Sequence, residues 1–131
     1  MKTLIVEDDF TCRLLLQKIL APYGECHIAV NGLEAVDAFR VAWEEKRTYD
    51  LICMDITMPE MDGQSALREI RGMEGVQGIS SSRSVKVIMT TAMDDPRNVV
   101  GAFKSLCDAY LVKPIRRADL IGYIRTFGLI P

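Results

Sequence analysis

Histidine is almost missing from this chain. His27 is the only one, so no second imidazole is available to complete a histidine metal site, and no phosphorelay histidine is suggested. The four cysteines, Cys12, Cys26, Cys53 and Cys107, are far apart and form no C-x-x-C pair. Cys53 lies inside an apolar run and reads as a buried, reduced thiol, which implies a reducing, cytoplasmic setting. The chain has no excess of positive charge: 16 basic against 18 acidic residues give a formal net charge of −2. That argues against direct nucleic-acid binding, which needs a basic stripe. No apolar run is long enough to insert into a membrane. The amino terminus carries one lysine and then a short apolar run broken by Glu7-Asp8-Asp9, which is not a signal peptide. The phosphate-loop pattern G-x-x-x-x-G-K-[ST] is absent, and there is no internal repeat.

What is present suits one compact domain over residues 1–131. The length of 131 residues and a hydrophobic content of 49% allow a full core. Thr3 to Val6 is a short β-branched run ended by acids, and reads as a buried strand. Asp9 or Thr11 can cap a helix that carries Leu14, Leu15, Ile19 and Leu20 and stops near Pro22-Tyr23-Gly24. Cys26 to Val30 is a second strand, Asn31-Gly32 a turn, and Leu33 to Trp43 a helix. Tyr49 to Met54 is a third strand, followed by a helix from Gly63 to about Met73. Residues Gly72 to Ser84 hold glycines and serines and read as a loop. Val85 to Met89 is a fourth strand, and Asp94-Asp95-Pro96 opens a fourth helix to about Leu106. Ala109 to Val112 is the fifth strand, and Arg116 to Phe127 the last helix, closed by Gly128. Five strands alternating with five helices predict an α/β fold: a doubly wound parallel sheet, flavodoxin-like, with helices on both faces.

Ligands in such folds gather at the carboxyl ends of the strands. There the first strand delivers Glu7-Asp8-Asp9, the third Asp55, the fourth Thr90-Thr91 and the fifth Lys113-Pro114. Taken singly, each has an ordinary explanation as a cap, a turn residue or a solvated lysine. Their joint arrival on one edge does not. Clustered carboxylates favour a hard divalent ion such as Mg2+. A carboxylate beside that ion can attack phosphorus and form an acyl phosphate. The charge on the transferred group is then neutralised by the metal and Lys113, with a hydrogen bond from Thr91.

The order Glu7-Asp8, then Asp55-x-x-Met58-Pro59-x-x-Asp62-Gly63, then Thr91-Ala92, then Lys113-Pro114 resembles the receiver domain of two-component response regulators. It is similar to the stand-alone chemotaxis regulators of bacteria, and the resemblance covers nearly the whole chain. The resemblance implies that Asp55 is the phospho-acceptor and that a sensor histidine kinase or phosphotransfer protein is the donor. It implies Mg2+, with Mn2+ as a possible substitute, on Asp8, Asp55, the Thr57 backbone carbonyl and, through water, Glu7. Thr91 takes the place of the switch hydroxyl and Lys113 that of the family's lysine, with a candidate cis bond to Pro114. Tyr110 matches the switch aromatic, although a plain core aromatic reads equally well. The implied output surface, for a downstream protein target, is the fourth helix, fifth strand and fifth helix. Thr57 and Met93 occupy the positions that tune acyl-phosphate lifetime. Neither is an acid or amide able to align a water, so no fast self-dephosphorylation is expected.

Asp9 reads as a helix cap rather than a metal ligand; Arg116-Arg117 could favour an acidic partner, but two arginines at a helix start are more often solvent-facing. A flavodoxin-like electron carrier is disfavoured because acids occupy the loop that would receive a flavin phosphate. An Asp-nucleophile phosphatase would need a second Asp where Thr57 stands. A pseudo-receiver, acting only as a binding module, would usually lack part of the acid and lysine set. The Met1 start and the end just after the last helix favour, modestly, a complete regulator over an excised domain.

Overall fold

The computed structural model describes residues 1–58, 60–80, 83–92 and 106–131. The strands are β1 (Lys2–Val6), β2 (Glu25–Ala29), β3 (Leu51–Asp55), β4 (Lys86–Thr91) and β5 (Ala109–Val112). All pair in parallel in the order β2-β1-β3-β4-β5, the flavodoxin-like order. The described α-helices are α1 (Phe10–Leu20), α2 (Gly32–Glu44), α3 (Gly63–Val76) and α4 (Arg117–Thr126), with a 3₁₀ turn at Ala21–Tyr23. The helix expected to open at Asp94-Asp95-Pro96 lies outside the described residues, so α4 here is the fifth helix of the sequence reading. No helix among the described residues is long and apolar enough to cross a membrane.

Strand alternation sorts the core into two layers. Leu4, Val6, Ile52, Met54, Val87 and Met89 face α2 and α3. Ile5, Leu51, Cys53, Ile88 and Leu111 face the other way, onto α1 and α4. β3 is buried along its whole length, as a central parallel strand requires. β2 lies at one edge of the sheet and is only partly buried, with Glu25 and Ile28 exposed. Tyr49, expected at the start of β3, lies just before it. It is buried and hydrogen-bonded to His27 Nδ1 at 2.8 Å.

The structure corrects two local expectations. Asn31-Gly32 is not a free turn but the start of α2. Asn31 caps it by accepting from Glu34 N–H at 2.8 Å. Gly32 is required because a Cβ there would collide with the Met61 carbonyl, which accepts from Gly32 N–H at 2.9 Å. The helix α3 also runs past Met73 to Val76, so the expected loop begins only at Gln77. Its last turn is fastened by Arg71. That guanidinium donates to Glu74 Oε1 (2.7 Å), to the Val85 carbonyl (2.8 Å), to the Leu106 carbonyl (2.8 Å) and to Asp108 Oδ2 (3.1 Å). These charge-assisted bonds outweigh the poor helix propensity of Gly72 and Gly75.

The glycines separate into two kinds, which gives a test. Gly63→Ala would press a methyl against the Asp55 carbonyl oxygen and the Met89 side chain, and should cost ~2–4 kcal/mol. Gly75→Ala meets nothing within 4 Å and should gain ~0.5–1 kcal/mol from helix propensity. Urea unfolding of the two variants measures both.

Candidate functional site

Because β1, β3, β4 and β5 run in parallel, their carboxyl ends share one edge, and the chain places its charges there. Lys113 Nζ lies 2.7 Å from Glu7 Oε1 and 3.2 Å from Asp55 Oδ2. Glu7 is fully buried and Asp55 is 6% exposed. The Lys113–Asp55 contact is a hydrogen bond. The shorter contact to Glu7 Oε1 is an ion pair without hydrogen-bond alignment.

The backbone around Asp55 fixes its carboxylate. Thr57 N–H donates to Asp55 Oδ1 at 3.2 Å. Ile56 N–H donates to the Thr90 carbonyl at 3.0 Å, and Gly63 N–H closes the turn onto the Ile56 carbonyl at 2.9 Å. Glu60 takes a left-handed φ of 68° within that turn, a conformation uncommon for a residue with a side chain. Asp62 caps α3 by accepting from Ser65 N–H at 2.8 Å. On the facing strand, Lys113 N–H donates to the Thr91 carbonyl at 2.7 Å, so the lysine is anchored to β4. The Lys113–Pro114 peptide is cis.

Electrostatics follow from burial. Burial first, and then the neighbouring Glu7 carboxylate, push the Asp55 carboxyl up to about 7 despite the ammonium of Lys113. Burial also acts upward on Glu7, but Lys113 and hydrogen bonds from Asp55, Cys12 and Asp9 together hold it below the usual range. Burial disfavours the charged form of Lys113, yet the two carboxylates outweigh it and raise the ammonium's pKa. Cys12, beside Glu7, is pushed up to about 12, chiefly by burial; its thiol is not a nucleophile.

Among the described residues, one ammonium therefore faces several acids. Oxygens of Glu7, Asp8 and Asp55 lie within 4.8 Å of one another, and Asp8 is exposed at the mouth. An all-oxygen, anion-rich set open to solvent on one side fits a hard divalent cation.

The other predicted residues sort as follows. Thr91 is buried at the end of β4, and its hydroxyl donates to the Ala92 carbonyl at 3.3 Å. Tyr110 is 39% exposed, which sets aside the reading of a plain core aromatic. Asp9 caps α1 through Cys12 N–H at 2.9 Å, as expected. Met93 lies outside the described residues. Arg13 was not anticipated: its Nη1 donates to the Glu7 carbonyl at 3.1 Å and bridges the first turn of α1 to the acid strand. Its position four residues after the Asp9 cap was the only signal.

Three comparisons with known proteins agree. The profile of the response regulator receiver domain family matches residues 3–125. The chain is 32% identical over 117 residues to the chemotaxis protein CheY of Bacillus subtilis, covering 88% of this chain and 87% of that protein. It is 36% identical over 133 residues to hybrid signal transduction histidine kinase G of Dictyostelium discoideum, covering 99% of this chain but 4% of that kinase. Among solved structures, the receiver domain of a sensor histidine kinase from Pseudomonas aeruginosa, with magnesium in its active-site cleft, superposes with a TM-score of 0.75 at 28% identity, covering 96% of this chain and 95% of that one. A chain from the Saccharomyces cerevisiae co-crystal of a histidine phosphotransfer protein and the receiver domain of its downstream response regulator gives a TM-score of 0.81 at 32% identity, covering 98% and 88%.

The raised Asp55 carboxyl makes a pH prediction. Folded, metal-free protein keeps that proton up to about pH 7, whereas the unfolded chain releases it near 3.8. Stability therefore falls as pH rises through that window. The lowered Glu7 acts in the opposite sense, at lower pH. Asp55→Asn should flatten the decline between pH 5 and 8 and add ~2 kcal/mol at pH 8. Urea unfolding in chelator-treated buffer at several pH values measures both effects.

Proposed function

This chain belongs to the response regulator receiver domain family of two-component phosphorelay systems, and we infer that Asp55 is the carboxylate that receives the phosphoryl group. The observation that carries the inference is the Asp55 carboxylate itself. It is buried at a strand end, held 3.2 Å from the Lys113 ammonium and flanked by Glu7 and Asp8. No packing requirement places three acids there.

The donor class is a phosphorylated histidine on a kinase or phosphotransfer protein, supported by the likeness to a receiver co-crystallised with a histidine phosphotransfer protein. An oxygen of Asp55 forms a bond to phosphorus as the phosphorus–nitrogen bond breaks, and the imidazole departs with the electron pair. Asp8, Asp55, the Thr57 carbonyl and, through water, Glu7 would hold Mg2+, or Mn2+ in its place. The bound ion supplies positive charge for the phosphoryl oxygens. Lys113 already contacts the carboxylate and neutralises the charge that arrives with the group. The chain catalyses only its own phosphorylation and dephosphorylation.

The signal then leaves through residues tied to the same edge. Thr91 turns its hydroxyl from the Ala92 carbonyl toward the phosphoryl oxygens, and Tyr110 moves into the vacated space. Because Lys113 N–H is bonded to the Thr91 carbonyl, β4 and β5 respond together. This is a shift between two packings, biased by the phosphoryl group. The surface that changes includes β5 and α4, where Tyr110, Val112 and Tyr123 are exposed; it is the docking face for a downstream protein. The free thiols of Cys12, Cys26, Cys53 and Cys107 suit a reducing cytoplasm.

Labelling by acetyl phosphate, or by a phosphorylated histidine phosphotransfer protein, tests the assignment. Wild-type protein should take up label only with Mg2+ or Mn2+, approaching one phosphoryl per chain. Asp55→Asn should reduce uptake to background. Label that persists in the Asn variant removes Asp55 from the role.

A further inference from the structure

Thr90 precedes the switch threonine in β4 and takes no part in the cluster of Glu7, Asp8, Asp55 and Lys113. It is 1% exposed, and its Oγ1 has no hydrogen-bond partner. A buried, unpartnered hydroxyl costs stability, whereas valine has the same shape and no such cost. The position calls for an explanation, and the sheet register supplies one.

Thr90 pairs with Asp55 on one side and with Leu111 on the other. Paired residues of parallel neighbours put their side chains on the same face, so Asp55, Thr90 and Leu111 form one row. Glu7 follows the Val6–Met54 pair by one step and extends that row on the far side of Asp55. Lys113 lies two residues beyond Leu111, on the same face, and reaches back to Asp55. Thr91, one residue on, has its side chain on the opposite face by alternation and already has a hydrogen-bond partner. The two threonines therefore cannot share one role. Asp55 thus has Glu7 as its row neighbour on one side and Thr90, with its unpartnered hydroxyl, on the other. β3 and β4 are parallel neighbours, and adjacent strands lie about 4.8 Å apart, so the Thr90 and Asp55 side chains stand side by side on one face.

We propose that Thr90 is a positioning residue for Asp55, its hydroxyl donating to the acceptor carboxyl as the phosphoryl group is carried and released. The proposal rests on the assignment of Asp55 as acceptor. In the phosphorylated state one Asp55 oxygen is esterified and the other is a carbonyl, which can accept from Thr90. On hydrolysis a water oxygen attacks phosphorus, and the bond between phosphorus and the Asp55 oxygen breaks. The electron pair returns to the carboxylate, and the water's protons leave with phosphate and solvent. A donor on the departing carboxylate speeds this step by stabilising the charge that develops there.

The test compares wild type, Thr90→Val, Thr90→Ser and Asp55→Asn. Each is exposed to acetyl phosphate and Mg2+, the donor is removed, and decay of the acyl phosphate is followed. Thr90→Val should decay about 3–10-fold more slowly than wild type, and Thr90→Ser should stay within about twofold because it keeps the hydroxyl. The infrared carbonyl band of the acyl phosphate should lie at higher frequency in Thr90→Val than in wild type and Thr90→Ser. Thermal unfolding of the unphosphorylated proteins should find Thr90→Val at least as stable as wild type, so slower decay cannot be ascribed to a damaged fold. Equal decay rates with an unchanged carbonyl band mean that Thr90 merely fills space, and overturn the proposal. Label on Asp55→Asn, or none on wild type, overturns instead the acceptor assignment beneath it.

Discussion

Among the described residues, a single ammonium group, that of Lys113, ties together the acids at the carboxyl edge of the sheet. It lies between two buried carboxylates, those of Glu7 and Asp55, and cannot neutralise both. Buried ion pairs are weak sources of stability because desolvation offsets most of the attraction. Here the pairing is also incomplete, and Asp8 adds a third acid at the mouth. Under the proposed function, this excess negative charge is what a cation and then a phosphoryl group would meet. Its sign is visible in the Asp55 carboxyl, which burial and Glu7 push up to about 7.

The opposite edge of the sheet shows what a purely structural charge cluster looks like. At the amino ends of β4 and β5, Arg71 and Lys86 face Glu74 and Asp108. Both Glu74 oxygens are used, one by Arg71 and one by Val85 N–H. Asp108 Oδ2 also accepts from Val87 N–H at 2.8 Å. Two cations balance two anions, and the backbone completes the network. The contrast supports reading the carboxyl edge as functional: among the described residues, one end of the sheet is balanced and the other is left with spare acids. The glycines serve the same division. Gly63 lets the chain pass against the Asp55 carbonyl, and Gly32 lets α2 seat against the Met61 carbonyl.

Much of this was legible from the residues. β3 could be read because an uninterrupted apolar run ends at a carboxylate, and its burial is complete. Asp9 could be read as a cap because its carboxylate has a local partner, Cys12 N–H, within one turn. The Glu7–Asp55–Lys113 cluster could be assembled because parallel strands must deliver their ends to one edge. Long-range and context-dependent features were not legible. Arg71 and Asp108 are separated by 37 positions, and no spacing rule links them. The end of α3 is not legible because Gly72 and Gly75 signal a loop locally, while the Arg71 network holds them in a helix. Gly32 read as a turn because its constraint is a carbonyl from a distant loop. At Tyr110 both readings stay open in the sequence, because alternation cannot tell which flank of the last strand lies open.

The account reduces to one claim: the covalent bond to phosphorus forms on the side chain at position 55. Reducing the phosphorylated protein with tritiated borohydride converts an acyl phosphate on aspartate to tritiated homoserine, and peptide sequencing locates it. The account predicts tritiated homoserine at position 55 and nowhere else. Tritium at another acid of the cluster, such as Asp8, or a stable phosphate ester on a threonine, would contradict it.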